Sequence, residues 1–134
     1  MGARKRNRAE AIKEAKKEKY YAVLRNCPTS PRKMRLIADL VRGAGVKRAL
    51  DVLKYNPKEA SGRMEKLLRS AVSNWQNKNE GVRMEDANLY VKEVFVDSAR
   101  VLKRLRPAPQ GRAHRIRKRS NHVTIILESK QISE

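Results

Sequence analysis

Residues 100–119 read RVLKRLRPAPQGRAHRIRKR. Nine of these positions are Lys or Arg and none is Asp or Glu. Two short basic arms flank a centre holding Pro107, Pro109 and Gly111, residues that specify a bend in the chain. The layout predicts an extended hairpin with its turn near residues 107–111. Such a segment has almost nothing apolar to bury and its charges repel, so it cannot fold alone. It needs a dense counter-charge to lie against, and RNA or DNA phosphate supplies one.

The sequence on either side reads as strand. Residues 89–97 (LYVKEVFVD) are rich in Val, Tyr and Phe. Leu89, Val91 and Phe95 alternate against Tyr90, Val94 and Val96, which leaves both faces partly apolar. Residues 121–128 (NHVTIILE) put Val123, Ile125 and Leu127 on one face. Pairing these strands antiparallel turns residues 98–120 into one long arm projecting beyond the sheet. A connection that long is uncommon unless it is functional. Residues 20–26 (YYAVLRN) make a third candidate strand.

Three helical patterns lie between the first strand and the second. Ser30 stands as N-cap before Pro31, a strong start signal. Met34, Ile37, Ala38 and Val41 recur at helical spacing, and Gly43 closes the helix. A second helix starts after Gly45 with Val46, Ala49, Leu50 and Leu53 as its apolar set. Asn56-Pro57 repeats the cap-plus-proline start for a third. There Ala60, Met64, Leu67, Leu68, Ala71, Val72 and Trp75 form one broad stripe, which reads as core. The expected fold is α+β: three helices packed on a small antiparallel sheet of about three strands, with a long protruding basic β-hairpin.

The expected organisation is a basic N-terminal extension over residues 1–19 and one globular domain over 20–134, with 98–120 as its hairpin. Residues 4–19 are rich in helix formers but have only Ala9, Ala11, Ile12 and Ala15 to bury. They read as a helix or as a tail that orders on RNA. Residues 129–134 read as a frayed tail.

The chain has 134 residues, net charge +19 and a pI near 10.7, which points to a nucleic-acid partner. The charge is uneven. Residues 51–99 carry eight basic and eight acidic side chains, while residues 1–20 carry eight and three and residues 21–50 seven and one. A neutral middle between basic extensions implies a defined geometry of contact. No apolar run reaches the roughly 18 residues that span a membrane, and the first apolar cluster, at residues 20–24, is too short for a secretory signal. The expectation is a cytoplasmic protein with no membrane partner. The single Cys27 excludes an internal disulfide and reads as a small, semi-buried filler.

Catalysis finds little support. The chain has no G-x-S-x-G, H-E-x-x-H or Gly-Lys-Ser phosphate loop. His114 and His122 each stand among cations without an orienting partner, so a phosphate or base contact suits them better than general-base work. No catalytic residue, metal ligand set, cofactor or small-molecule substrate is expected. Arg outnumbers Lys seven to two in residues 100–119, and no aromatic residue lies there. Arg holds phosphate through a planar fork. Without stacking platforms, shape and backbone contact to folded RNA fits better than single-strand binding. The helix start at Ser30, with Arg32, Lys33 and Arg35 and with Arg42 nearby, is a second candidate anion site. Plain capping with a solvated face explains those residues equally well.

The segments Val96-Asp97, Leu102-Lys103-Arg104, Gly111-Arg112-Ala113 and Arg115 through Ile125 (RIRKRSNHVTI) resemble the ending of the large-subunit ribosomal protein L22 (uL22) family. Ser30-Pro-Arg-Lys-Met-Arg, Asp39-Leu40-Val41-Arg42-Gly43 and Ala49-Leu50-Asp51-Val52-Leu53 are similar to its first two helices. The resemblance covers about residues 20–128. It implies a structural protein of the large ribosomal subunit that binds large-subunit rRNA during assembly. Its partners would be that rRNA, neighbouring ribosomal proteins and, at the hairpin tip, the nascent polypeptide in the exit tunnel. Arg100, Lys103, Arg104, Arg106, Arg112, Arg115, Arg117, Lys118 and Arg119 would face RNA together with His114. Pro107, Ala108, Pro109, Gln110, Gly111 and Arg112 would form the tip. Ser98-Ala99-Arg100 replaces an acidic residue followed by Gly-Pro in many relatives, at the arm's first bend. Ala108-Pro109 replaces Arg-Ala, so the tip loses one positive charge and stiffens.

Overall fold

A helix and a strand lead into three consecutive helices, and a strand, a hairpin and a final strand complete the chain. The computed structural model describes residues 3–82 and 87–129. Its elements are α1 (Ala3–Glu18), β1 (Tyr20–Cys27), α2 (Pro31–Val41), α3 (Val46–Tyr55), α4 (Glu59–Lys78), β2 (Leu89–Ser98), β3 (Leu102–Pro107), β4 (Ala113–Lys118) and β5 (Asn121–Ser129). β5 lies in the centre of a three-stranded sheet, antiparallel to β1 on one side and to β2 on the other. β3 and β4 form a ladder of their own. Helices α2, α3 and α4 pack against the sheet, so the α+β architecture expected from the sequence holds. The core is Val123, Ile125 and Leu127 of β5 against the buried stripes of the helices. Of the tail expected at 129–134, Ser129 ends β5 and the remainder lies outside the described residues.

The pairing resolves the ambiguous pattern of β2. Its register against β5 shifts between Val91 and Glu93, which makes Lys92 the extra residue of a β-bulge. A bulge reverses the phase of the in–out alternation. Leu89 and Val91 face the core before it, and Val94 and Val96 face the core after it; all four are buried while Phe95 is 49% exposed. The strand is therefore apolar on one face, and the two-faced reading of residues 89–97 is corrected.

An edge strand exposes unpaired backbone groups that invite other strands, and α2 covers this one. Gly43 N donates to Val91 O at 2.8 Å, and Val91 N donates to Ala44 O at 2.9 Å. Farther along, Arg42 Nη2 donates to Val94 O at 3.1 Å and Arg35 Nη2 to Val96 O at 3.0 Å. Gly43 makes the close approach at φ 77°, a left-handed conformation that glycine adopts without steric cost.

Helix starts match the sequence signals only in part. α2 begins at Pro31 with Ser30 in the N-cap position, but the Ser30 side chain makes no cap hydrogen bond. α4 begins at Glu59, beyond the Asn56-Pro57 signal, with Lys58 as its N-cap. Asn56 Oδ1 instead accepts from Lys58 N at 3.1 Å, a local turn that competes with capping. The buried Ser61 hydroxyl donates to Leu53 O and so closes the end of α3. Asn121 is also fully buried, and its Nδ2 donates to Thr29 O at 2.6 Å. That bond ties the root of the hairpin to the loop before α2. Cys27 is fully buried rather than semi-buried.

α1 is a helix that buries no residue. What fixes it is Lys78, at the far end of α4. Its Nζ donates to Lys17 O at 2.8 Å and Lys19 O at 2.9 Å, carbonyls at the C-terminal end of α1, where a cation is favoured. The same ammonium lies 5.3 Å from the centroid of the Tyr20 ring, and that ring meets Trp75 edge-on at 6.4 Å.

The bulge yields a sharp contrast. Lys92→Ala loses one exposed ion pair and is expected to leave the melting temperature nearly unchanged. Deleting Lys92 turns either Leu89 and Val91 or Val94 and Val96 out of the core, and is expected to abolish cooperative melting followed by circular dichroism. A deletion variant that melts like the parent contradicts this account of β2.

Candidate nucleic-acid interface

The β3–β4 ladder pairs Leu102 with Lys118, Lys103 with Arg117, Arg104 with Ile116, Leu105 with Arg115, Arg106 with His114 and Pro107 with Ala113. Partners across a ladder share a face, and successive residues alternate between faces. One face thus carries Arg104, Arg106, His114 and Lys118, and the other Lys103, Arg115 and Arg117. Every residue of both strands is exposed, including Leu105 at 70%. Lys103 stands directly opposite Arg117, a pairing that destabilises a ladder. No basic side chain of residues 100–119 has a carboxylate partner among the described residues. The finger is cationic on two sides, and the protein neutralises neither.

At the root, Ala99 N donates to Ser120 O at 2.9 Å, bridging the interval between the sheet and the finger. Arg100 and Arg119 lie in that interval, and both are exposed. At the tip, Ala108 N donates to Arg112 O at 2.9 Å and Arg112 N to Pro109 O at 3.4 Å. Gln110 and Gly111 have φ of 61° and 68°, both in the left-handed region that tight hairpin turns draw on. The turn therefore centres on Gln110-Gly111, slightly beyond the middle of the predicted 107–111 span. From Pro107 to Gly111 the tip carries no charge, and Arg112 is its single cation.

The four basic residues singled out on α2 divide into two pairs. Arg32 and Lys33 are exposed. Arg35 and Arg42 direct guanidinium donors at the edge of β2, and Arg42 also pairs with Asp39 at 2.6 Å. His122 has a structural partner: Asn26 N donates to its Nδ1 at 3.0 Å, which places the ring proton of the neutral form on Nε2. His114 sits exposed on the finger. Sequence reasoning missed Lys78, whose carbonyl partners lie 61 and 59 residues away in the chain.

Three groups with shifted ionisation, Tyr90, Lys92 and Glu128, gather at the opposite end of the sheet. Lys92 Nζ lies 2.6 Å from Glu128 Oε1, and the Tyr90 hydroxyl donates to the other carboxylate oxygen. The Lys92 ammonium first, and then the Tyr90 hydroxyl, hold the Glu128 carboxyl below the usual carboxylate range. In return the carboxylate raises Lys92 and Tyr90. Among the described residues no group of three or more His, Cys, Asp or Glu is placed to hold a metal ion. No helix among them is long and apolar enough to cross a membrane.

Residues 22–128 match the family model described as ribosomal protein L22p/L17e. The large ribosomal subunit protein uL22 of Christiangramia forsetii is 68% identical over 127 residues, covering 95% of this chain and 94% of that protein. The uL22 protein of Flavobacterium johnsoniae is 65% identical over 127 residues, covering 95% and 93%. That of Bacteroides fragilis is 60% identical over 134 residues, covering 100% and 98%.

Arg35→Ala and Arg42→Ala are each expected to lower stability by about 1 kcal/mol, the net worth of a partly exposed charge-assisted hydrogen bond, whereas Arg32→Ala and Lys33→Ala leave the melting temperature unchanged. Equal melting temperatures for all four variants contradict the edge-sealing role. Glu128 supplies a pH signature. Its folded-state carboxyl is depressed, so its contribution is full above the ordinary carboxylate range and lost as pH falls through the depressed value. Thermal melts of the parent and of Glu128→Gln are expected to differ at neutral pH and to converge on acidification; a gap that persists in acid contradicts the pairing.

Proposed function

This chain belongs to the ribosomal protein L22p/L17e family, and on that premise we propose that the β3–β4 finger is a strut held by large-subunit rRNA on both of its faces. The protein is a non-enzymatic component of the large ribosomal subunit in the cytoplasm. Its work is to bind and position RNA during assembly.

The observation that carries the proposal is the two-sided distribution of charge on the ladder. A basic ribbon lying on a surface needs cations on one face only. Here both faces hold Arg or Lys, no carboxylate answers them, and no apolar face is left to turn toward a protein core. Insertion between RNA segments satisfies both faces at once. Arg104, Arg106, Arg115 and Arg117 bring planar forks suited to phosphate. Each phosphate neutralised releases condensed counterions, which makes affinity fall with salt. Arg100 and Arg119 extend the same contact to the root, with Arg32 and Lys33 as an outlying pair.

The charge stops where the proposed RNA contact stops. Pro107, Ala108, Pro109, Gln110 and Gly111 offer a rigid neutral surface. Such a surface suits the wall of the exit tunnel, where nascent chains of every composition must pass without adhering. The tip is accordingly proposed to face the nascent polypeptide, with Arg112 anchoring it to the wall. Neighbouring ribosomal proteins complete the set of partners around the globular part.

The test is a deletion of residues 102–118, replaced by a short glycine turn. The finger contributes no residue to the core, so the variant is expected to melt within a few degrees of the parent. The deletion removes seven cations, and the slope of log affinity for large-subunit rRNA against log salt is expected to fall by as much as about 5. The parent is also expected to retain rRNA against excess random duplex DNA. An unchanged slope, or equal displacement by duplex DNA, contradicts the proposal.

A further inference from the structure

We propose a second rRNA-binding site, remote in sequence from the finger: a groove of about 840 Å³ between the C-terminal end of α1, the open edge of β1 and one side of α4. The proposal rests on the ribosomal reading above and adds a site to it.

Five cations line this groove, Lys16, Lys17, Lys19, Arg25 and Lys78, and no acidic residue does among the described residues. Lys16, Lys19 and Arg25 are exposed, and none of their side chains has an ion-pair partner among the described residues. The charge is collected by the fold. Glu10, Glu14 and Glu18 recur at four-residue spacing and so occupy a single stripe of α1. Glu18 lines a separate depression, where Glu93 and Glu128 stand with Lys19 and Lys92, so the turn from α1 into β1 keeps the Glu18 carboxylate out of the groove. The orientation that does this is fixed by the bonds from Lys78 to Lys17 O and Lys19 O. Lys78 holds the wall of the groove while adding its own charge.

The floor suits a phosphate backbone. β1 is an edge strand, and Tyr21 turns its carbonyl outward to accept from Asn74 Nδ2 at 3.0 Å. Strand geometry puts the N–H groups of Tyr21 and Val23 on that same open edge. Backbone donors, amide side chains and unpaired cations in one trough form an anion-binding surface. An added β-strand from a protein could use the edge, but it would not account for the three unpaired cations Lys16, Lys19 and Arg25 that line it. Phosphate does.

The experiment uses the full chain with Lys16→Gln, Lys19→Gln and Arg25→Gln combined, leaving Lys78 in place. A control combines Lys54→Gln, Lys58→Gln and Lys66→Gln, three exposed cations that do not line the groove. Affinity for large-subunit rRNA is measured across salt concentrations, with melting temperature as the folding check. The groove variant is expected to lose about 2 from the slope of log affinity against log salt, at roughly 0.7–0.9 per phosphate contact, while the control loses little. Equal losses in both variants overturn the proposal, because net charge alone then explains the effect. An unchanged groove variant overturns it too, and the 102–118 deletion read in parallel shows whether rRNA binding by the finger survives. Undiminished rRNA affinity combined with failure to join reconstituted large subunits assigns the edge to a protein strand and also overturns it.

Discussion

Lys103 faces Arg117 across the β3–β4 ladder, and Leu105 faces Arg115 where an acid would have relieved the strain. Directly paired side chains sit about 5 Å apart at their Cβ atoms, close enough for like charges to weaken the pairing. A two-stranded ribbon is marginal in water even without that penalty. The finger's exposed Leu102, Leu105 and Ile116 offset little of the cost of ordering the chain. Its backbone ladder and its left-handed tip specify a shape, and an external anion supplies the energy to hold it. That division between encoded shape and borrowed stability governs the rest of the molecule.

The globular part is built so that the finger has a firm base. Its core contains no finger residue, and α4, the longest helix on the sheet, comes from the charge-balanced stretch of the sequence. The strands that carry the finger, β2 and β5, are the most extensively paired elements of the sheet. The outer edge of β2 is closed by Gly43, Arg42 and Arg35, and Asn121 fastens the start of β5 to the loop before α2. Hydrogen bonds of this kind hold the strands at the root of the finger in place. The opposite edge, β1, remains open beneath α1, and it is there that the unpaired lysines gather.

Much of this was legible in the sequence because it depends on local periodicity. The α4 stripe from Ala60 to Trp75 and the inward run of Val123, Ile125 and Leu127 are buried as read. The finger was legible from its charge, its flanking strands and its turn residues. What escaped depends on partners distant in the chain. The bulge at Lys92 has no signature in residues 89–97 alone, since it exists only relative to β5. Asn56-Pro57 looked like a helix start because an Asx turn and an N-cap use the same residue type. The bonds from Arg35 and Arg42 to the edge of β2 are invisible in the basic cluster they share with Arg32 and Lys33, because charge is legible in a sequence and direction is not. Lys78, in a neutral segment, gave no sign that it would clamp α1. The resemblance to L22 was carried by residues that the family match also spans.

Amide hydrogen exchange across β3 and β4 probes most directly whether phosphate holds the finger. In the free protein at high ionic strength, the amides of residues 102–107 and 113–118 are predicted to exchange almost as fast as unstructured peptide, while those of β2 and β5 stay protected. Adding large-subunit rRNA at moderate salt is predicted to slow the finger amides by orders of magnitude. Finger amides equally protected with and without RNA would contradict the account, because the hairpin would then hold its shape by its own contacts.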